Sequence, residues 1–167
     1  MKIMKAKIND VTKIEKLIKE AKLYLKENNV DQWQDGYPNS KIILNDINLK
    51  NGYILKDDKE IVAYFAIDLF EDPNYQEIDG KWLNNGDYAS LHRLCIANKY
   101  RGKGISDDIF TFVKGYVKNH RIYNIKIDTH KDNLVMKKII ENQGFEYCGI
   151  ITLKRDKSLR MAYQFKL

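Results

Sequence analysis

The sequence is poor in the residues that mark disulfide scaffolds, metal sites and linkers. Of its 167 residues, two are cysteine, two are proline and three are histidine. Cys95 and Cys148 cannot build a disulfide framework or a cysteine-rich zinc site. His92, His120 and His130 lack the spacing of a helical zinc motif, so no metal is expected. Pro38 and Pro73 stand apart, which excludes a Pro-rich linker. Long hydrophobic runs are missing too. The most apolar stretch, 61–70, contains Asp68 and is too short to span a bilayer. The opening M-K-I-M-K-A-K-I-N-D has no apolar signal region. A reduced, cytoplasmic, soluble protein with no membrane partner is the expectation.

Apolar residues make up 44% and charged residues 31%, enough for one packed domain over 1–167. The net charge is +6, but 24 lysines, 21 isoleucines and 15 asparagines point partly to coding bias. The charge is also uneven. Residues 1–86 hold 13 basic and 15 acidic residues, a net of −2; residues 87–167 hold 16 and 8, a net of +8. The second half therefore suits an anion. Its cations are scattered lysines without a helix-turn-helix, RRM or zinc motif, so no nucleic-acid partner is expected.

Residues 2–8 alternate as a strand. Asp10 or Thr12 can cap a helix with Ile14, Leu17, Ile18, Ala21, Tyr24 and Leu25 on its apolar face, fraying near Asn28-Asn29. Ser40 can cap a short second helix. Residues 53–56 and 60–69 form a hairpin about Asp57-Asp58-Lys59. Residues 71–86, with four acids, read as a long surface loop. A strand over 88–96, a glycine turn, a helix over 107–120, a strand over 122–129, a helix over 132–143 stopped by Gly144, and strands over 145–153 and 161–166 complete the chain. The order β-α-α-β-β-β-α-β-α-β-β predicts an α+β fold with a mixed central sheet flanked by helices.

The chemistry concentrates in L-H-R-L-C-I-A-N-K-Y-R-G-K-G-I-S, residues 91–106. A strand meets a turn with Gly102 and Gly104, and a helix follows at once. Glycines allow the sharp turn and leave amides uncovered. The first amides of a helix have no intrahelical partner and lie at the positive end of its dipole, a natural anion site. Arg101 and Lys103 add full charges. A Walker A loop is absent, and a dinucleotide fingerprint fails because Asp107 stands where its third glycine belongs.

R-G-K-G-I-S resembles the pyrophosphate signature Q/R-x-x-G-x-G/A of the GNAT superfamily of N-acetyltransferases. Arg101 and Gly104 match, with Ser106 at the small-residue position. The stretch 128–145 is similar to the later motif of that family, N-x-x-A-x-x-x-Y-x-x-x-G-F, through Asn133 and the pair Gly144-Phe145. Met136 replaces the small residue, and Ile140 replaces the tyrosine that often serves as general acid.

The resemblance implies a GNAT-like fold, acetyl-CoA as cofactor, and direct attack of an amine on the thioester. It also implies a cofactor site at Leu94, Cys95, Ile96, Arg101, Gly102, Lys103, Gly104, Ile105, Ser106 and Asn133. The acceptor is then a small-molecule or peptide amine, and Trp33 and Tyr37 lie where the family builds substrate walls. Two residues are candidates for the base that deprotonates the amine: Asp128, where some members place a glutamate, and His92, which strand alternation puts on one face with Leu94 and Ile96. The alternative for Asp128 is an ion pair with Arg93 or Lys126, and for His92 a structural hydrogen bond. Arg93 reads as a partly buried ion pair. His130, at the end of the same strand as Asp128, is a further candidate. Tyr147 and Cys148 are the remaining groups that can lie near the leaving thiolate. The chain is expected to be a monomer or homodimer, and a coenzyme-A-binding module with little catalysis is the alternative reading.

Overall fold

The computed structural model describes all of residues 1–167. It is a mixed α/β fold with eight strands in the sheet order β1-β2-β3-β5-β6-β8-β7-β4 and four helices. The chain resolves into two compact units, residues 1–67 with 92–109 and residues 68–91 with 110–167.

In the first unit, β1 (Lys2–Lys5), β2 (Gly52–Asp57) and β3 (Glu60–Asp68, apart from its last residue) pair antiparallel in sequence. The hairpin turns at Asp58, in the left-handed region with φ 51°. Helix α1 (Val11–Glu27) buries Ile14, Leu17, Ile18, Ala21 and Leu25, as its 3.6-residue period dictates. The cap differs from expectation. The Asp10 carboxylate does not cap α1; it accepts from the Lys7 amide and pairs with Lys56 at 3.2 Å. Helix α2 (Ser40–Asn48) is capped by Asn39 rather than Ser40, the Asn39 side chain accepting from the Ile42 amide. Asparagine one position earlier reaches the free amide of the first turn equally well.

The second unit holds β6 (Asn124–Thr129), β7 (Glu146–Thr152) and β8 (Leu159–Lys166), with β8 antiparallel to both neighbours. Helix α4 (Leu134–Asn142) packs Ile140 fully inside. The expected surface loop at 71–86 is more ordered than its polarity suggests. It contains a 3-10 turn at Pro73–Tyr75 and a two-residue strand, β4 (Asp79–Gly80), paired with Gly149 and Ile150. The pairing is glycine on glycine: a Cβ on Gly80 would lie 2.2 Å from the Cys148 carbonyl, and one on Gly149 2.3 Å from that of Asp79. Tyr75 anchors the segment, 2% exposed, and Trp82 and Tyr88 pack around it.

Strand β5 (Ala89–Ile96) and helix α3 (Ile105–Asn119) each contribute residues to both units. At its start β5 pairs parallel with β6, Ala89 opposite Ile125 and Ser90 opposite Lys126.

Candidate functional site

Within the first unit, β5 carries an irregularity that periodicity does not reveal. Arg93 sits in the left-handed region, φ 55°, in mid-strand. The burial still follows the expected alternation, with Leu91 and Cys95 buried and His92, Leu94 and Ile96 half-buried. The left-handed residue is held by side chains. Arg93 donates through Nε and Nη2 to the two carboxylate oxygens of Asp46, at 2.7 and 2.8 Å, and through Nη1 to the Tyr37 hydroxyl at 2.8 Å. The Tyr64 hydroxyl donates to Asp46 at 2.6 Å. Burial pulls the guanidinium pKa down, but Tyr37 and Asp46 outweigh it and hold it above its ordinary value. The expected ion pair at Arg93 is thus present, with Asp46 on α2 as its partner rather than Asp128.

Past β5 the chain makes a 3-10 turn, Asn98–Tyr100, then the glycine turn, and α3 begins at Ile105. The turn is anchored on the β2–β3 hairpin. Tyr100 donates its hydroxyl to Glu60 and Asp57, at 3.2 and 3.3 Å, and Lys99 pairs with Glu60 at 2.6 Å. Gly102 and Gly104 have φ of 70° and 76°. Nothing lies within 4 Å of a Cβ built on Gly102, and only the Asp107 carboxylate comes to 4.0 Å at Gly104. The backbone of the turn is exposed, with the N-terminus of α3 directly after it.

Arg101 has a different place from the one its charge suggested. Its guanidinium stacks 3.6 Å from the Tyr24 ring centroid, its Nε donates to the Ile96 carbonyl at 3.4 Å, and its buried Nη1 has no partner. Lys103 remains exposed, 5.5 Å from the Tyr100 ring centroid. An open left-handed glycine turn before a helix, with a free lysine and an orphaned guanidinium nitrogen, fits a diphosphate group. Cys95 is not a reactive thiol: it is buried, donates to the Tyr64 carbonyl at 3.8 Å, and burial pushes its pKa up to about 12. Leu94 and Ile96 are half-buried and Ile105 is buried, while Ser106 is half-buried in the first turn of α3. Trp33 packs against the core cluster around Ile14, Leu17 and Ile43, and Tyr37 is taken up by Arg93.

In the second unit, Asp128 is half-buried on β6 and accepts from the Tyr75 hydroxyl at 2.7 Å through Oδ1. Tyr75 in turn accepts from Trp82 Nε1 at its carbonyl, 3.0 Å. Burial, then the charge of Asp128, pushes the Tyr75 hydroxyl well above its ordinary pKa, so it stays a donor. Lys126, two residues before Asp128, lies between aromatic rings, its Nζ 3.9 Å from the Trp82 centroid and 3.7 Å from that of Tyr88. Tyr75, Trp82, Tyr88 and Lys126 border a cavity of about 430 Å³ that also takes in Glu71, Asn84 and His120. Its wall is tied down by amides: Asn84 donates to Asn124 at 2.8 Å, Gln164 donates to the same oxygen at 3.0 Å, and the Leu83 amide donates to Gln164 at 2.9 Å.

Asn133 caps α4, accepting from the Met136 amide at 3.2 Å. His130 Nδ1 accepts from the Asp132 amide at 3.3 Å. His92 is half-buried beside the left-handed Arg93. Ile140, where the family motif has tyrosine, is fully buried. Tyr147 meets Tyr163 edge-on, and Cys148 is buried with its thiol pushed up by burial.

Sequence reasoning missed Tyr75, Trp82 and Tyr88, and gave Lys126 only as an ion-pair partner for Asp128. The signal that can find them is two large aromatics inside an acidic polar stretch, a third just after it, and a lysine sharing a strand face with Asp128.

A sequence model of the Acetyltransferase (GNAT) family matches residues 14–145. A crystal structure of a GNAT-family acetyltransferase from Streptococcus agalactiae 2603 is 33% identical, covers 99% of this chain and 95% of its own, and superposes with a TM-score of 0.87. PaiA N-acetyltransferase from Thermoplasma acidophilum, solved in complex with coenzyme A, shares the fold at 16% identity and TM-score 0.76, over 99% of this chain and 98% of its own. Streptothricin acetyltransferase from Escherichia coli is 27% identical over 78 residues, a match that spans 45% of each chain. The matched family model covers most of both units, and the chain belongs to the acetyltransferase (GNAT) family.

Proposed function

We propose that residues 1–167 act as one acetyltransferase domain that moves the acetyl group of acetyl-CoA to a primary amine of a small molecule, amino acid or peptide. The observation that carries this is the glycine turn: two left-handed residues with open space above them, set before the first amides of α3. Acetyl-CoA, when bound, supplies a thioester open to attack by an amine. The amides of Gly102, Lys103, Gly104, Ile105 and Ser106 hold its diphosphate, with Lys103 as counter-ion. Arg101 stays on Tyr24 and fixes the turn to Ile96. Backbone groups of Leu94, Cys95 and Ile96 line the pantetheine arm.

An acceptor amine is protonated at neutral pH and must lose a proton before it attacks. Asp128 is the group we assign to that step. Tyr75 holds its Oδ1 and leaves Oδ2 to take the proton. His92, half-buried next to Arg93, ranks second. Streptothricin joins the acceptor panel because of the Escherichia coli relative.

Acetyl-CoA at well above its Kd is expected to raise the melting temperature, and thiol release should follow with at least one amine. Replacing Gly104 by valine puts a β-branched side chain at φ 76° and should abolish the acetyl-CoA shift. Asp128→Asn should retain that shift and lower turnover roughly 100-fold or more, most visibly below neutral pH; an unchanged rate removes Asp128 from the mechanism. The second reading, a coenzyme-A-binding module, draws on the buried Ile140, which leaves no hydroxyl at the motif position. It predicts the melting shift without thiol release from any amine.

A further inference from the structure

We propose that the cavity beside β6 binds a carboxylate, with the Lys126 ammonium as its counter-ion, and that the amine acceptor is therefore a free amino-carboxylate. The binding half stands on the cavity alone; the acceptor half rests on the acetyltransferase reading above.

Lys126 is 5% exposed. Its ammonium carries three donors, and its only close contacts are the faces of Trp82 and Tyr88. Two rings compensate part of the lost hydration, and the ammonium, with no protein acceptor, has its donors left for whatever occupies the cavity that Lys126 lines. Burial lowers its pKa to about 8, against smaller opposing effects of Cys148 and Glu71. An anionic ligand atom supplies the missing partner. The adjoining cavity, about 430 Å³, is the size of a small-molecule site.

The rest of the lining selects among anions. Glu71 and Asp87 also border the cavity, so a phosphate or dicarboxylate would meet like charge. A zwitterion does not: its carboxylate takes Lys126 and its amine faces the acids. Asp128 lies two residues farther along the same strand face, roughly 7 Å away at the usual rise. Tyr75 joins the two places, since its ring lines the cavity and its hydroxyl holds Asp128. An amino group and a carboxylate a few bonds apart match this spacing.

The test pairs 5-aminovalerate, L-leucine and L-phenylalanine with the carboxamide of each. Calorimetric titration of the full chain should show at least tenfold tighter binding of the carboxylate in one or more pairs. Lys126→Met keeps the apolar stem between the rings and should erase that preference; Lys126→Gln repeats the comparison should the methionine variant not fold. Equal affinity within every pair, no carboxylate binding, or a preference that survives both substitutions overturns the assignment. Thiol release is then followed for the same six compounds with acetyl-CoA. Faster transfer to the carboxylate member, lost in Lys126→Met, supports the acceptor half; equal rates within pairs overturn it and leave acetyl transfer intact. Carboxylate binding without thiol release from any amine leaves the cavity assignment standing and overturns the acetyltransferase reading.

Discussion

Arg93 and Lys126 are both cations taken largely out of water, and the chain treats them in opposite ways. Arg93 spends three nitrogens on Asp46 and Tyr37. Lys126 meets only the faces of Trp82 and Tyr88. The planar guanidinium suits a bidentate carboxylate, and the pair holds a left-handed residue in mid-strand. The ammonium is a point charge, and two ring faces steady it without using its protons. A buried charge whose every nitrogen has a partner belongs to the scaffold. One whose donors are unused, beside a cavity, is a place for something else to bind.

Substitutions can erase or deepen that contrast. The largest effect is expected from Asp46→Ala, which leaves Arg93 buried without its carboxylate. Breaking such a pair costs about 3–5 kcal/mol, read as a lower urea midpoint. A loss below about 1 kcal/mol would mean that Arg93 is as weakly held as Lys126. Tyr37→Phe removes one charge-assisted hydrogen bond and should cost roughly 1.5–3 kcal/mol by the same measurement. The smallest change is expected at Lys126. Lys126→Met removes a charge with no hydrogen bond, so stability at pH 7 should hold or rise.

The same variant isolates the titration of Lys126. Its folded pKa of about 8 lies below the unfolded value of about 10.4, so the unfolded chain binds the extra proton between them. Wild-type stability should therefore gain relative to Lys126→Met as pH rises from about 8 to 10, because the cost of a buried ammonium is relieved. Asp87, His120, Tyr75 and Tyr88 face the same region in both proteins, while Glu71 and Cys148 interact with Lys126 and are read with it in the difference. A flat difference would mean that Lys126 keeps its ordinary acidity.

Much of the fold was legible because it is local. The α1 face, the hairpin about Asp58 and the stop at Gly144 each depend on neighbours within a few residues. The glycine turn was legible for the same reason: R-G-K-G can do little else between a strand and a helix. The left-handed backbone at Arg93 was not, since alternation carries no sign of one such residue held from outside the strand. The order in 71–86 was hidden as well. Its acids suggested solvent, while Tyr75, Trp82 and two glycine contacts set the conformation.

The sequence by itself determined most of the elements, their order and the glycine turn. These rest on side-chain period, caps and glycine freedom, which act over a few residues. Only the tertiary structure decided which charges found partners. Asp46 reaches Arg93 across 47 positions, and Tyr75 reaches Asp128 across 53. Such pairs form when the folded chain brings distant segments together, and no local pattern encodes which carboxylate a buried cation will meet, or that Lys126 will meet none.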